Sequence, residues 1–225
     1  MATTYPIKWD QEGEKKYENG VSRGVLYTKV NNAWVGVPWN GLTSVTESPE
    51  GADKTDLWAD NIKYASMRAA ETFGGTIEAY TYPPEFEACN GEKALSSTIP
   101  GIIVGQQVRA PFCLCYRTEQ GNDTDGANYG YKLHLIYNCT CSPSERAYET
   151  INDSPDAITF SWEFDTTPAD TGDSNLKQTS CITIDSTKID SAKLTKLEEI
   201  LYGKGSTAPT IPFPSELISK LTAQG

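Results

Sequence analysis

Six cysteines and a single histidine are the side chains best able to do chemistry in this chain. Cys113-Leu114-Cys115 and Cys139-Thr140-Cys141 form two C-x-C pairs. On strands, the two-residue period puts both members of each pair on one face. Four thiolates on one face could hold zinc, but structural zinc sites favour C-x2-C on turns that wrap the metal. Strands paired around an intervening loop would offset the two pairs along the ladder, and packed free thiols are the expectation. His134 lies in the strand-like run Lys132-Leu133-His134-Leu135. A lone histidine gives a triad or an all-histidine metal site little to work with, so a surface or half-buried sheet residue is expected. Asn122-Asp123-Thr124-Asp125-Gly126 has some character of a calcium loop. It lacks the full D-x-[DN]-x-[DN]-G spacing and the closing glutamate, and reads as a solvated hairpin tip. Glu163 and Asp165 could in principle serve as glycosidase carboxylates; the outward face of a strand normally carries such residues without catalysis. Phosphate loops, dinucleotide fingerprints, nucleophile elbows and H-E-x-x-H are absent. The expectation is no enzyme, no metal and no cofactor.

The elements that would carry these residues are mostly strands. The chain has 225 residues with 18 Gly, 13 Pro, 12 Tyr and 5 Trp, a composition that favours sheets and turns. Gly24–Val30 and Ala33–Trp39 read as strands joined by a two-residue turn at Asn31-Asn32. A strand at Gly41–Glu47 leads to a turn or loop tip at Ser48-Pro49-Glu50-Gly51-Ala52-Asp53, and residues 43–72 read as one long hairpin arm. A possible strand from Leu57 reaches a break at Gly74-Gly75. The alternating strand Thr76–Thr81 follows, with Ile77 and Ala79 on one face and Thr76, Glu78 and Tyr80 on the other. Pro84–Asn90 reads as a short helix closed by Gly91. Gln106–Thr118 and Tyr129–Cys141 read as strands paired around the loop Glu119–Asn128. Ala157–Thr167 alternates cleanly: Ile158, Phe160, Trp162 and Phe164 oppose Thr159, Ser161, Glu163 and Asp165. Thr179–Ser186 is a further strand, and Ser191–Tyr202 is the clearest helix, with Leu194, Leu197, Ile200 and Leu201 as its stripe and Gly203 as its stop. A last helix, Ser215–Leu221, is expected to be capped by Ser215.

Residues 1–20 read as an extended N-terminal arm with anchors at Tyr5, Trp9 and Tyr17, residues 21–203 as a β-rich domain, and residues 204–225 as a C-terminal arm anchored by Phe213, Leu217 and Ile218. The net charge of −11 argues against ordinary nucleic-acid binding, which needs a basic stripe. The N-terminal stretch has no apolar core of a signal peptide, and no run is apolar enough to cross a membrane. Synthesis in a reducing cytoplasm is therefore expected, and the sequons at Asn122, Asn138 and Asn152 read as chance.

Asp60-Asn61, Phe73-Gly74-Gly75-Thr76-Ile77-Glu78-Ala79-Tyr80-Thr81-Tyr82-Pro83 and Phe86 resemble the signature stretch of the major tail protein family. That family builds the tail tube of long, non-contractile-tailed bacteriophages and prophages of Gram-positive bacteria. Ser161-Trp162-Glu163-Phe164 with Thr167-Pro168, and Ile211-Pro212-Phe213-Pro214-Ser215-Glu216-Leu217-Ile218, are similar to two further family segments. The resemblance implies a mainly β (α+β) fold: a sandwich or barrel-like tail-tube body with a flanking helix, a long hairpin arm and extended termini. It implies hexameric rings stacked into a virion tail tube in the host bacterial cytoplasm. Its partners would be copies of itself, the tape-measure protein and viral DNA passing without specific binding, and terminator and baseplate proteins. On that basis Glu78, Glu163, Asp165 and Asp185 are expected to face the lumen, with Thr76, Thr159 and Ser161 as neutral spacers. Ser48, Pro49, Glu50, Asp53 and Trp58 are expected at ring-to-ring contacts. The rivals are the tube subunit of a phage-like bacteriocin or injection device, and a β-sandwich adhesin or carbohydrate-binding module, which the aromatic content would suit.

Overall fold

The computed structural model describes residues 6–51, 53–148, 150–151 and 157–223. Tyr5, Ala52, the Asn152 sequon and the last two residues of the expected C-terminal arm lie outside them.

Among the described residues, twelve strands and two helices follow in the order β1 Tyr17–Val30, β2 Ala33–Trp39, β3 Leu42–Gly51, β4 Lys54–Ala59, β5 Ile62–Arg68, β6 Glu71–Ala79, β7 Lys93–Ser96, β8 Ile99–Val104, β9 Phe112–Asn122, β10 Gly126–Cys141, β11 Phe160–Thr166, β12 Cys181–Asp185, α1 Ser191–Tyr202 and α2 Pro214–Thr222. One antiparallel sheet runs β2-β1-β9-β10-β11-β6-β3, with β12 also on β10. The sheet folds over at β10. Residues 132–136 of that strand pair with β12, and residues 139–141 pair with β11. Between them lies a bulge where Asn138 takes φ 49°, the kind of irregularity that bends a strand and re-aims its side chains.

The fold-over makes a sandwich. Its apolar layer holds Leu26, Leu114 and Ile136 from one sheet and Ile77, Trp162 and Phe164 from the other. Trp39 meets Trp162 across the layer at 5.7 Å between ring centroids, and Phe112 meets Phe164 at 6.4 Å. Phe86, on a short 3-10 turn at Pro84–Phe86, plugs one side against Trp39 and Trp162. Strands β1, β9 and β10 are buried on their other face too. There Val25, Tyr27, Cys113, Cys115, Leu133, Leu135 and Tyr137 meet Leu197 and Leu201 of α1 and Leu217 of α2. Burial on both faces explains why Phe112–Tyr116 is an unbroken apolar run rather than an alternating one.

The turn chemistry places the hairpins. Asn31-Asn32 takes φ 48° and 69°, and Asp60-Asn61 takes φ 51° and 64°, the left-handed pair of a type I′ turn. Helix α1 is capped by Asp190, whose side chain accepts from the Ala192 and Lys193 amides, and ends at Gly203 with φ 84°.

Several expectations need correcting. Ser48–Gly51 are strand rather than turn, since they stay paired with Glu71–Gly74, and the arm turns at Asp60-Asn61. Gly74-Gly75 does not break β6. A Cβ on Gly75 would lie 2.2 Å from the Thr46 carbonyl and 2.9 Å from the Phe164 ring, so glycine there admits close packing within a continuous strand. Ser215 does not cap α2; Pro214 occupies the first turn and the flanking residue is Phe213, which makes no side-chain cap. The β7–β8 hairpin has no counterpart in the sequence reading.

Candidate functional site

Three of the four carboxylates expected to line a channel share one surface. The ladder sets Ser44 opposite Glu78 and Glu78 opposite Ser161, Thr46 opposite Thr76 and Thr76 opposite Glu163, and Ser48 opposite Gly74 and Gly74 opposite Asp165. Alternate residues Val45, Ile77, Trp162 and Phe164 fill the sandwich, so this polar set forms the outer face of β3, β6 and β11. Those three strands carry Glu47, Glu50, Glu71, Glu78, Glu163 and Asp165 and contain no Lys or Arg. Among the described residues no ion pair neutralises Glu50, Glu78, Glu163 or Asp165. Ser44 donates to Glu78 at 2.8 Å, and a shallow groove of about 200 Å³ runs past Ser48, Glu50, Thr72, Thr76, Glu163 and Asp165. Elsewhere the surface mixes signs, as in Arg117–Glu119 and Lys132–Glu18.

Asp185 stands apart from that face. It lies on β12, which pairs with β10, and its carboxylate is taken up locally. Burial opposes its charge, but hydrogen bonds from Thr187 and the Lys188 ammonium outweigh it and hold its pKa below the ordinary value.

The expected contact residues lie on or next to the arm. Ser48, Pro49 and Glu50 are in β3, Asp53 sits between β3 and β4, and Trp58 is in β4. Beyond Gly51↔Glu71 the β4–β5 hairpin pairs only with itself. It exposes Trp58, Ile62, Tyr64 and Met67, each at least 60% accessible. The β7–β8 hairpin likewise pairs only with itself and exposes Leu95, Ile99, Ile102 and Ile103. Two projecting hairpins with apolar flanks are surfaces that water disfavours.

The termini are held in part by the chain's own body. Trp9 is 75% exposed, yet the Gly13 and Lys15 amides donate to Asp123, and Tyr17 pairs with Gly121. Buried Asn122 organises the same turn, accepting from the Thr124 and Asp125 amides and donating to Asp125 and to the Gly13 carbonyl. The acidic loop is thus a clamp on the N-terminal segment: Asp123 accepts from backbone amides of that segment and Asp125 from the Asn122 side chain. At the other end the Phe213 ring packs at a tilt against Tyr137 and Leu217 is buried, while Ile218 is 69% exposed.

The cysteine pairs sit on opposite faces of the central sheet. Cys113 and Cys115 face the helices, and Cys139 and Cys141 face the sandwich, so the four cannot share one tetrahedral ion. Burial pushes the thiols of Cys89, Cys113 and Cys141 up to about 12. Among the described residues no group of metal-ligating side chains comes together, and no helix is long and apolar enough to cross a membrane.

A cluster around His134 is absent from the sequence reading. Tyr116 stacks on the imidazole with centroids 4.6 Å apart and planes at 2°. Glu47 of β3 approaches Nδ1 at 3.5 Å, and Glu18 of β1 approaches Nε2 at 3.6 Å. The adjacent His134 ring, opposed by burial and helped by the Tyr116 hydroxyl, holds Glu47 below the usual carboxylate range.

A scan of protein-family models finds no match, and neither does a search of curated proteins. Among solved structures, the sheath/tube terminator of an extracellular contractile injection system, PVC, in its extended state, superposes with a TM-score of 0.38 at 10% identity, covering 81% of this chain and 99% of the other. At that score the likeness carries no weight for function.

Proposed function

We propose that this chain is a structural subunit of a tail tube, in a phage tail or a tail-like injection device, and that it has no catalytic role. The observation that carries the reading is the outer face of β3, β6 and β11, where carboxylates and hydroxyls stand without a single Lys or Arg. Ordinary exposed strands mix both signs. A one-signed acidic wall suits a conduit for a polyanion, because a basic wall would hold phosphates through counterion release. Repulsion acting over a Debye length of about 8 Å keeps a duplex mobile in the channel. Copies of the chain would close into a ring, hexameric as the sequence resemblance implies, with Glu78, Glu163 and Asp165 lining the lumen. The β4–β5 arm, with Trp58 near its tip, would reach the next ring. Tape-measure protein and genome would pass through, and terminator and baseplate proteins would close the ends.

Negative-stain microscopy of the purified protein at high concentration tests the assembly, with rings or tubes expected. A strict monomer across concentration and salt would refute it. In a phage carrying the Glu163→Lys, Asp165→Lys double variant, tubes should assemble while genome ejection slows or stops. Normal ejection, or a ring with these carboxylates on its outer wall, would sink the lumen assignment. An adhesin or carbohydrate module would present a row of exposed aromatics. Here Trp39 and Trp162 are buried, and the most exposed tryptophans, Trp9 and Trp58, sit on separate segments.

A further inference from the structure

The surroundings of His134 ask for two protons on one ring. Its side chain is 12% exposed. Nε2 lies 3.0 Å from the Thr118 hydroxyl oxygen, and that hydroxyl donates its proton to Glu18 at 2.5 Å. The other Glu18 oxygen is paired with Lys132. On the opposite side of the ring, Nδ1 faces the Glu47 oxygen that already accepts from the Tyr116 hydroxyl at 2.5 Å. Both ring nitrogens therefore face oxygens with no proton to give. A neutral imidazole has one N–H and would turn a lone pair on one of them; the imidazolium has two. Nδ1 is buried and forms no hydrogen bond in this arrangement. At 3.5 Å its attraction to Glu47 is an ion pair, present only while the ring is charged.

Six strands contribute to this corner. Glu18 comes from β1, Glu47 from β3, Tyr116 and Thr118 from β9, and Lys132 and His134 from β10. Cys181 of β12 is within electrostatic reach of Glu47 and of Glu71 on β6. Glu47 and Tyr116 reach each other across the fold-over, so the contact joins the two sheets. We propose that His134 is a proton-operated latch between the sheets: doubly protonated it bridges Glu18 of β1 to Glu47 of β3, and on losing one proton to solvent it releases Glu47. β3 is one leg of the arm's root, and the β4–β5 hairpin starts at Lys54, just past its end. Releasing Glu47 loosens the base of the arm. The latch holds in a single chain, whatever the arm contacts.

The direction with pH follows from the proton count. The bridge is complete while the imidazole is charged and is lost as pH rises through the histidine titration. Glu47, held below the usual carboxylate range, keeps its charge as pH falls until well into acid. Hydrogen exchange of β3, referenced to β9 and corrected for intrinsic rates, tests this across neutral pH, from about pH 5.5 to about 8.5. In the unaltered protein, relative protection of residues 42–51 should drop about fivefold with rising pH, the size of one half-buried ion pair. The imidazole proton signal of the lone histidine should titrate in step. In Glu47→Gln, which keeps the side chain's shape, and in His134→Gln, the profile should be flat. Undiminished pH dependence in either variant overturns the latch, and so does a histidine that titrates while β3 exchange stays constant.

Discussion

Replacing Leu217 by alanine tests whether the last segment is a free arm or part of the body. The sequence alone separates residues 204–225 from the domain by Gly and Pro and predicts that residues 212–225 can be trimmed without unfolding it. The packing predicts the reverse. Leu217 is 8% exposed within a cluster that includes Leu197 and Leu201 of α1. Removing its three outer carbons forfeits about 2.4 kcal/mol at ~0.8 kcal/mol per carbon. A residual cavity beside a two-sided sheet raises the loss to about 3 kcal/mol. Tyr137 supplies an independent probe, since its buried hydroxyl donates to the Pro212 carbonyl at 3.1 Å. Tyr137→Phe should cost about 1 kcal/mol in the full chain. In a chain ending at Ile211 it should cost nothing, because the acceptor is gone. Urea unfolding followed by tryptophan fluorescence reads all five species, and the difference between the two Tyr137→Phe effects is the coupling of the segment to the sheet. A Leu217→Ala loss below about 1 kcal/mol, or a truncated chain with an unchanged midpoint, would show that the segment does not support the body.

Gly75→Ala should destabilise the sandwich by about 2–3 kcal/mol, since its Cβ would meet the Thr46 carbonyl at 2.2 Å; a near-neutral midpoint shift would show that β3 can yield there. In the native protein a thiol reagent should modify Cys181 first and leave the other five untouched until denaturant is added, because those five are buried and Cys181 is half-exposed; rapid modification of all six would contradict the burial. For Glu18, burial opposes ionisation but the Lys132 and Thr118 contacts prevail, and Glu47 is held low by His134 and Tyr116. Both carboxylates have folded pKa values below their unfolded ones. On the acid side their stabilisation is thus lost as pH falls through the folded values. Glu47→Gln should flatten part of the acid limb of a pH–stability curve, and an unchanged limb would refute its share.

Local signals were legible where neighbours in sequence are neighbours in space. Asn31-Asn32 marked its hairpin, and Gly203 with the Leu194–Leu201 stripe marked α1 from end to end. The alternation from Phe160 to Asp165 identified both the buried and the acidic faces of β11. The β7–β8 hairpin was missed because its turn, Ser97-Thr98, has neither Gly nor Asn. Ser48–Gly51 read as a turn because Pro49 and Gly51 look like turn residues but lie on an edge strand, where proline is tolerated. The His134 corner was invisible for another reason. Residues 18, 47, 116 and 134 meet only once long-range register and the fold-over are fixed, and no local period encodes either.

The arm is also a yardstick. Its strands advance about 3.4 Å per residue and alternate faces at every step. Taking two facing residues from each leg would draw the Asp60-Asn61 tip inward by roughly 7 Å and leave every remaining side chain on its own face. Taking one from each leg would shorten it by half as much and turn the outer part, Trp58 and Tyr64 included, to the opposite side. Reach can therefore change between relatives only in two-residue steps if the chemistry of the tip is to survive. Arm lengths differing by odd numbers should go with a rewritten pattern of apolar residues beyond the change.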